Sequence, residues 1–190
     1  MRAFLAVTLP ADVQACLSRL QETLAESRAD VKWVEPANLH VTLKFLDEIS
    51  EAQRHEVEAL VARIVHDQPP FLLGLTAPGA FPSFDSPRVL WVGLGEGKET
   101  VARLADAIER DAATLGLRRE ERPFAAHVTL GRARSPRARQ ALVQRLRAGA
   151  WQPPPPWRVA SLTFYQSVLG SDGPRYSVLA EFPFSREGGV

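Results

Sequence analysis

A chain of 190 residues, 45% of them apolar, can bury a sizeable core, and it is short enough to be one domain or two small lobes sharing that core. A formal net charge of +1 supplies no global field to draw in nucleic acid, so any electropositive surface has to be local. The single cysteine, Cys16, excludes an internal disulfide framework and a cysteine-rich zinc site, and it fits a reducing compartment.

The apolar run after Met1 is ended by Pro10, too early for a signal peptide, and reads as a first strand over residues 2–8. Pro10 opens a helix over about 11–28, with Val13, Leu17, Leu20 and Leu24 at helical spacing. A short strand over 31–35, a turn at Pro36-Ala37-Asn38 and a strand over 40–46 follow. Ser50-Glu51-Ala52-Gln53 has the form of a capping box, ahead of a helix reaching about residue 66. Strands are predicted near 71–76 and 88–94, with a loop rich in Pro, Gly and Phe between them. A third helix covers about 98–115, a strand 127–130, and a fourth helix about 136–148, capped by Ser135-Pro136. After the stiff Pro153–Pro156 connector, strands near 158–168 and 175–184 form a hairpin through Gly170-Ser171-Asp172-Gly173. Two β-α-β stretches recur, which predicts an α+β fold of two sheet-and-helix lobes. No apolar stretch approaches the ~20 residues that span a bilayer, so the expected setting is the cytoplasm, away from membranes.

One tetrapeptide occurs twice: His40-Val41-Thr42-Leu43 and His127-Val128-Thr129-Leu130. At ordinary residue frequencies a histidine is followed by Val-Thr-Leu about once in a thousand times, so coincidence is a poor explanation. Both copies are β-prone. On a strand His and Thr at i and i+2 share one face, while Val and Leu face a core. Each copy therefore offers one imidazole and one hydroxyl on the same side. Two such faces sharing a cleft would surround a phosphate with two imidazoles and two hydroxyl donors. An imidazole of ordinary pKa near 6.5 can give or take a proton near neutrality, so one neutral and one protonated ring make an acid–base pair.

Period two also puts Lys44 on the face of His40 and Thr42, along a substrate path or as a plain surface lysine. Arg132 follows Gly131, which lets the chain bend a side chain toward a ligand. Arg118, Arg119, Arg122, Arg134, Arg137 and Arg139 surround the second motif, as a track for a phosphate backbone or a solvated face. Trp33, Phe81, Phe84 and Tyr165 are candidates for base stacking, Phe84 foremost because its loop is polar. His55 and His66 lack the His-x-Thr context and read as surface residues.

Further segments bear on the same point: R-A-F-L-A-V at 2–7, K-W-V-E-P-A-N-L-H-V-T-L-K-F-L at 32–46, G-A-F-P at 79–82, P-R-V-L-W-V-G at 87–93, H-V-T-L-G-R at 127–132, Y-Q-S-V-L at 165–169 and G-P-R-Y at 173–176. With these the chain resembles the two-histidine phosphoesterases, and among them the bacterial and archaeal RNA 2′,3′-cyclic phosphodiesterases, historically called 2′-5′ RNA ligases. The resemblance implies a single bilobal domain over 1–190, with pseudo-twofold symmetry around a central cleft. It implies a monomeric RNA 2′,3′-cyclic 3′-phosphodiesterase that needs no metal or other cofactor and leaves a 2′-phosphate. His40 would be the general acid and His127 the general base. Thr42 and Thr129 would hold phosphate oxygens, and Arg132 would add a charge-assisted contact. Two positions depart from the family pattern: Ala126 stands where Pro often precedes the second His, and Asp47 where many members have Gly.

Other readings start from the same residues. The site run in reverse would join RNA ends through a 2′–5′ bond, and a different cyclic phosphate is a possible substrate. Two histidines on separate strands are half of a metal site, but no third or fourth ligand is apparent and neither H-x-H nor H-E-x-x-H occurs. A non-catalytic RNA-binding module would need neither the paired histidines nor their threonines.

Overall fold

The computed structural model describes residues 1–148, 151–170 and 173–185. The N-terminal apolar run is β1 (Arg2–Thr8), whose five inner residues are all buried because both faces of the strand are covered. Pro10 then starts α1 (Ala11–Ala25), which buries Val13, Leu17, Leu20 and Leu24 as one stripe. Next come β2 (Val31–Trp33), a single 3₁₀ turn (Pro36–Asn38) and β3 (His40–Glu48). Ser50 caps α2 (Glu51–Val65) through the expected box: Ser50 Oγ accepts from the Gln53 N–H, and Gln53 Oε1 accepts from the Ser50 N–H. Then follow β4 (Phe71–Leu73), β5 (Leu75–Phe81), β6 (Val89–Leu94), α3 (Lys98–Ala112), β7 (His127–Ala133), α4 (Arg139–Arg147), β8 (Trp157–Val159), β9 (Ser161–Leu169) and β10 (Pro174–Pro183). None of the described helices is long and apolar enough to cross a membrane.

Two stretches differ from the sequence expectation. The Pro- and Gly-rich segment after residue 76 is strand as far as Phe81, because β5 is the edge of its sheet and an edge tolerates Pro78. The fourth helix begins at Arg139, not at Pro136, because Ala138 sits at φ +52°, in the left-handed region. β9 and β10 form the expected antiparallel hairpin. Ser171 and Asp172 of its turn lie outside the described residues.

The main sheet has the order β10-β9-β1-β3-β7-β6-β5, with β2 also pairing to β7. β4 and β8 form a separate two-stranded ribbon. α2 and α3 pack together, α3 lies against β3, and α1 packs with α4. The fold is α+β with two halves, but the halves share one continuous sheet. Their junction is a single residue pair, Val41 against Val128, at the contact of β3 and β7. These are the valines of the two H-V-T-L motifs. A local twofold axis therefore passes between them and relates one motif to the other.

Candidate active site

Val41, Leu43, Val128 and Leu130 are all buried in the core. Alternation then sends His40, Thr42, His127 and Thr129 to the opposite face. The antiparallel register through Val41 and Val128 puts His40 across from Thr129 and Thr42 across from His127. His40, Thr42 and Thr129 line a cleft of about 730 Å³, along with Arg132. His127 is close enough for its charge to act on His40.

Both imidazoles are held in the same way. His40 Nδ1 lies 2.7 Å from the Asn38 carbonyl oxygen, and His127 Nδ1 lies 2.6 Å from that of Ala125. A carbonyl only accepts, so each Nδ1 carries the proton and donates to the residue two positions earlier. Each neutral ring is left with a basic Nε2. For His40 this atom is 2.9 Å from Thr42 Oγ1. Aromatic rings set the two planes: Phe4 lies 4.8 Å from His40, Tyr176 meets it edge-on at 5.5 Å, and Phe81 meets His127 edge-on at 5.2 Å.

Burial lowers the pKa of His40; the Asn38 carbonyl opposes that, and the neighbouring His127 lowers it further. Burial also lowers the pKa of His127, against the Ala125 carbonyl, and the positive charge of Arg132 adds to the lowering. Burial raises the pKa of the Tyr176 phenol, and Arg132 opposes it. The Arg132 charge is thus felt by both His127 and Tyr176.

Each motif is followed by a β-bulge at the same place. Along β1–β3 the partners run from Ala6–Thr42 to Leu5–Lys44, leaving Leu43 unmatched. Along β6–β7 they run from Trp91–Thr129 to Leu90–Gly131, leaving Leu130 unmatched. A bulge reverses the facing of everything beyond it. Lys44 accordingly points away from the cleft, contrary to the period-two expectation. It is 4% exposed and donates to Glu109 Oε2 and to the Arg118 carbonyl. Phe45 takes the cleft face instead. In the second copy Gly131 turns away, and Arg132 turns in. A Cβ on Gly131 would lie 2.8 Å from Val31 Cγ1 and 3.0 Å from the Lys32 carbonyl oxygen, so the missing side chain lets β2 close on β7.

Other cleft residues come from distant segments. Asn38 Nδ2 donates to the Pro174 carbonyl at 3.0 Å, tying the 3₁₀ turn to the start of β10 and holding Tyr176 beside His40. Tyr176 was visible in sequence only as part of G-P-R-Y, and Asn38 as a turn residue. Trp33 lines the cleft as a stacking candidate should. Phe84 is not among the residues lining it: it packs half-buried against the core with the Arg147 guanidinium 5.1 Å from its ring. Phe81 packs on Trp91, and Tyr165 stacks on Phe4 with its hydroxyl 2.9 Å from Thr8 Oγ1. The six arginines around the second motif are exposed and outside the cleft lining. His55 and His66 are exposed surface residues. Asp47 sits at φ +54°, a conformation that glycine adopts freely and aspartate tolerates. Among the described residues no group of three or more His, Cys, Asp or Glu side chains is placed to hold a metal ion.

Residues 9–170 match the family model of the 2′-5′ RNA ligase superfamily. The chain belongs to that superfamily. Relatives in the 2′-5′ RNA ligase superfamily include the RNA 2′,3′-cyclic phosphodiesterase of Aeropyrum pernix, 36% identical over 174 residues, which are 92% of this chain and 98% of that one. The enzyme of the same name from Methanothermobacter thermautotrophicus is 34% identical over 96% of this chain and 98% of its own. Among solved structures, TT0787 of Thermus thermophilus superposes with a TM-score of 0.82 at 30% identity, covering 99% of this chain and 100% of the other. E. coli LigT complexed with 3′-AMP gives 0.77 at 28% identity, covering 97% and 98%.

Proposed function

We propose that this chain, acting as a single bilobal domain, opens 2′,3′-cyclic phosphate ends of RNA to 2′-phosphate ends, with His40 as general acid and His127 as general base. The observation that carries the reading is the twofold arrangement of His40 and His127: the two lie on one face of adjacent strands, each is pinned at Nδ1 by a backbone carbonyl, and His40 lines the cleft with Thr42, Thr129 and Arg132. The names of relatives at 36% and 34% identity support the substrate.

In this mechanism the phosphorus sits between the two rings. His127 Nε2 takes a proton from water as the new P–O bond forms, and His40 gives its Nε2 proton to O3′ as the P–O3′ bond breaks. Thr42 and Thr129 donate to the non-bridging oxygens, and Arg132 stabilises the charge that develops on them. The two histidines start unequal. Burial, with a smaller contribution from the Arg132 charge, lowers the pKa of His127 and favours its neutral form, as a base needs. An arriving phosphate anion favours the protonated form of His40 and offsets the effect of its burial. One chain supplies every one of these groups, and the enzyme is proposed to work as a monomer in the cytoplasm.

The test is an RNA ending in a 2′,3′-cyclic phosphate, with the product phosphate mapped. A 2′-phosphate is expected; a 3′-phosphate would reverse the leaving oxygen, and an unopened ring would refute the reading. Acid, base and anion holder are all side chains, so turnover is expected to persist after exhaustive chelation. Loss with EDTA that one divalent ion restores would overturn that. Arg132→Ala is expected to lower kcat/KM about 10–100-fold, the worth of one hydrogen bond to a charged group. It should also move the acidic limb of the pH profile upward, because His127 loses the neighbouring positive charge. An unmoved limb would place Arg132 outside the electrostatics of the base.

A further inference from the structure

The two halves match strand for strand behind the histidines. β9, β1 and β3 lie in one half as β5, β6 and β7 lie in the other, and Tyr165 pairs with Phe4 in the first where Phe81 pairs with Val89 in the second. Tyr165 and Phe81 are thus twofold counterparts, and so are Phe4 and Val89. The match of side chains fails at the second of these pairs. Beside His127 the position is aliphatic, and Phe81 itself meets the imidazole edge-on, with the planes 85° apart. Beside His40 it is aromatic: the Phe4 ring lies 4.8 Å from the imidazole with the planes 30° apart, and Tyr165 stacks behind Phe4 at 5.2 Å and 20°. We propose that Phe4, backed by Tyr165, is a positioning residue for His40, whose ring it holds and whose imidazolium form it stabilises through its π-face.

The stack is fixed from several sides. Phe4 is 2% exposed, so it acts through His40 and not on the substrate. The Tyr165 hydroxyl lies 2.9 Å from Thr8 Oγ1, which lies 3.0 Å from Thr163 Oγ1, and Tyr176 meets Phe4 edge-on. A cation within about 6 Å of an aromatic centroid is attracted by the ring quadrupole, and more strongly where water is excluded. The charges around His40 give it no comparable help. Those in and beside the cleft are His127 and Arg132 from β7, Lys32 from β2 and Arg175 from β10, against the Glu35 carboxylate and the Tyr176 phenol. Among the described residues neither imidazole is ion-paired to a carboxylate; the histidines that are so paired are His55 and His66. A carboxylate beside the acid would also repel an incoming phosphate. An aromatic face carries no net charge, so it favours the proton on His40 without that repulsion, and it offsets part of the effect of burial.

That His40 is the acid rests on the cyclic-phosphate reading above, but its protonation is read without turnover. Fluorination drains the negative face of a phenyl ring, and full fluorination reverses its quadrupole with little change of shape. The full chain with Phe4 replaced by mono-, tri- or pentafluorophenylalanine is titrated by NMR on labelled imidazoles. The pKa of His40 is expected to fall stepwise along the series, by about 0.5–1.5 pH units at its end, while His127 moves far less. The basic limb of kcat/KM on a cyclic-phosphate RNA end should move down with His40, and the acidic limb should stay. The monofluorinated chain is the mildest change to a buried position, so the trend does not depend on the pentafluorinated chain folding. A flat series overturns the proposal. So does an equal shift of His40 and His127, which would report a general loosening of the cleft. A stepwise fall of His40 in a protein that opens no cyclic phosphate supports the role of Phe4 and removes the catalytic reading. Turnover of cyclic phosphate with a flat series does the reverse.

Discussion

Replacing His40 or His127 with alanine is expected to lower turnover of a cyclic-phosphate RNA end by about 10²–10⁴-fold each, the usual contribution of a positioned proton-transfer group. The double variant should lose less than the product of the two, because groups that act as a unit are not additive. A substrate whose leaving group needs no proton tells the roles apart: it should rescue His40→Ala far more than His127→Ala. Rescue of His127→Ala instead would reverse the assignment. Burial lowers both histidines from the ordinary value near 6.5, so the bell in kcat/KM, which reports the free enzyme, should be centred below about pH 6.5. Bound phosphate raises His40, so the basic limb of kcat should lie above the basic limb of kcat/KM. Near wild-type rates in both single variants would end the two-histidine mechanism for this protein.

The first four residues of each motif were legible because Val-Thr-Leu alternation states which side is core and which is cleft. What followed was not. Alternation extended to Lys44 gives the wrong face, since a bulge depends on how the strand registers with its neighbours, and β1 and β6 are far away in the chain. Gly131 was the one local hint, and it bore on Arg132 alone. Phe45 carried no hint, because an apolar residue in a strand ordinarily means core. The tie from Asn38 to Pro174, and with it the seat of Tyr176, depends on a contact between opposite ends of the chain. The α+β class and the two β-α-β units could be read from periodicity. Their fusion into one sheet at Val41 and Val128 could not, because it is set by a single pair between the two halves.

The same bulge makes a prediction about stability. It turns Lys44 into the interior, where the side chain is 2% exposed and its ammonium donates to Glu109 and to the Arg118 carbonyl. Glu109 Oε1 also accepts the Glu120 N–H at 3.0 Å, and its side chain is 31% exposed. Glu109→Gln leaves a buried cation with its charge uncompensated. It should cost about 3 kcal/mol, the low end for breaking a buried pair, because water reaches the carboxylate side. Lys44→Met should cost less, since the carboxylate left behind is the partner nearer to water. The double variant Lys44→Met/Glu109→Gln should recover most of the loss, as an apolar side chain of similar length fills the space without a charge. Burial alone would raise the Glu109 carboxyl, but the hydrogen bonds from Lys44 and the Glu120 N–H, with the charges of Lys44 and Arg119, outweigh it and hold the pKa below the ordinary carboxylate value. A carboxyl depressed in the folded state contributes stability above its unfolded pKa near 4.3, and that contribution is lost as pH falls through the lower folded value. Urea unfolding as a function of pH should therefore show wild type losing stability through this acidic window and Glu109→Gln losing less. A Glu109→Gln protein as stable as wild type at pH 7 would mean that the Lys44 ammonium finds water, and that the ion pair does not anchor the bulge.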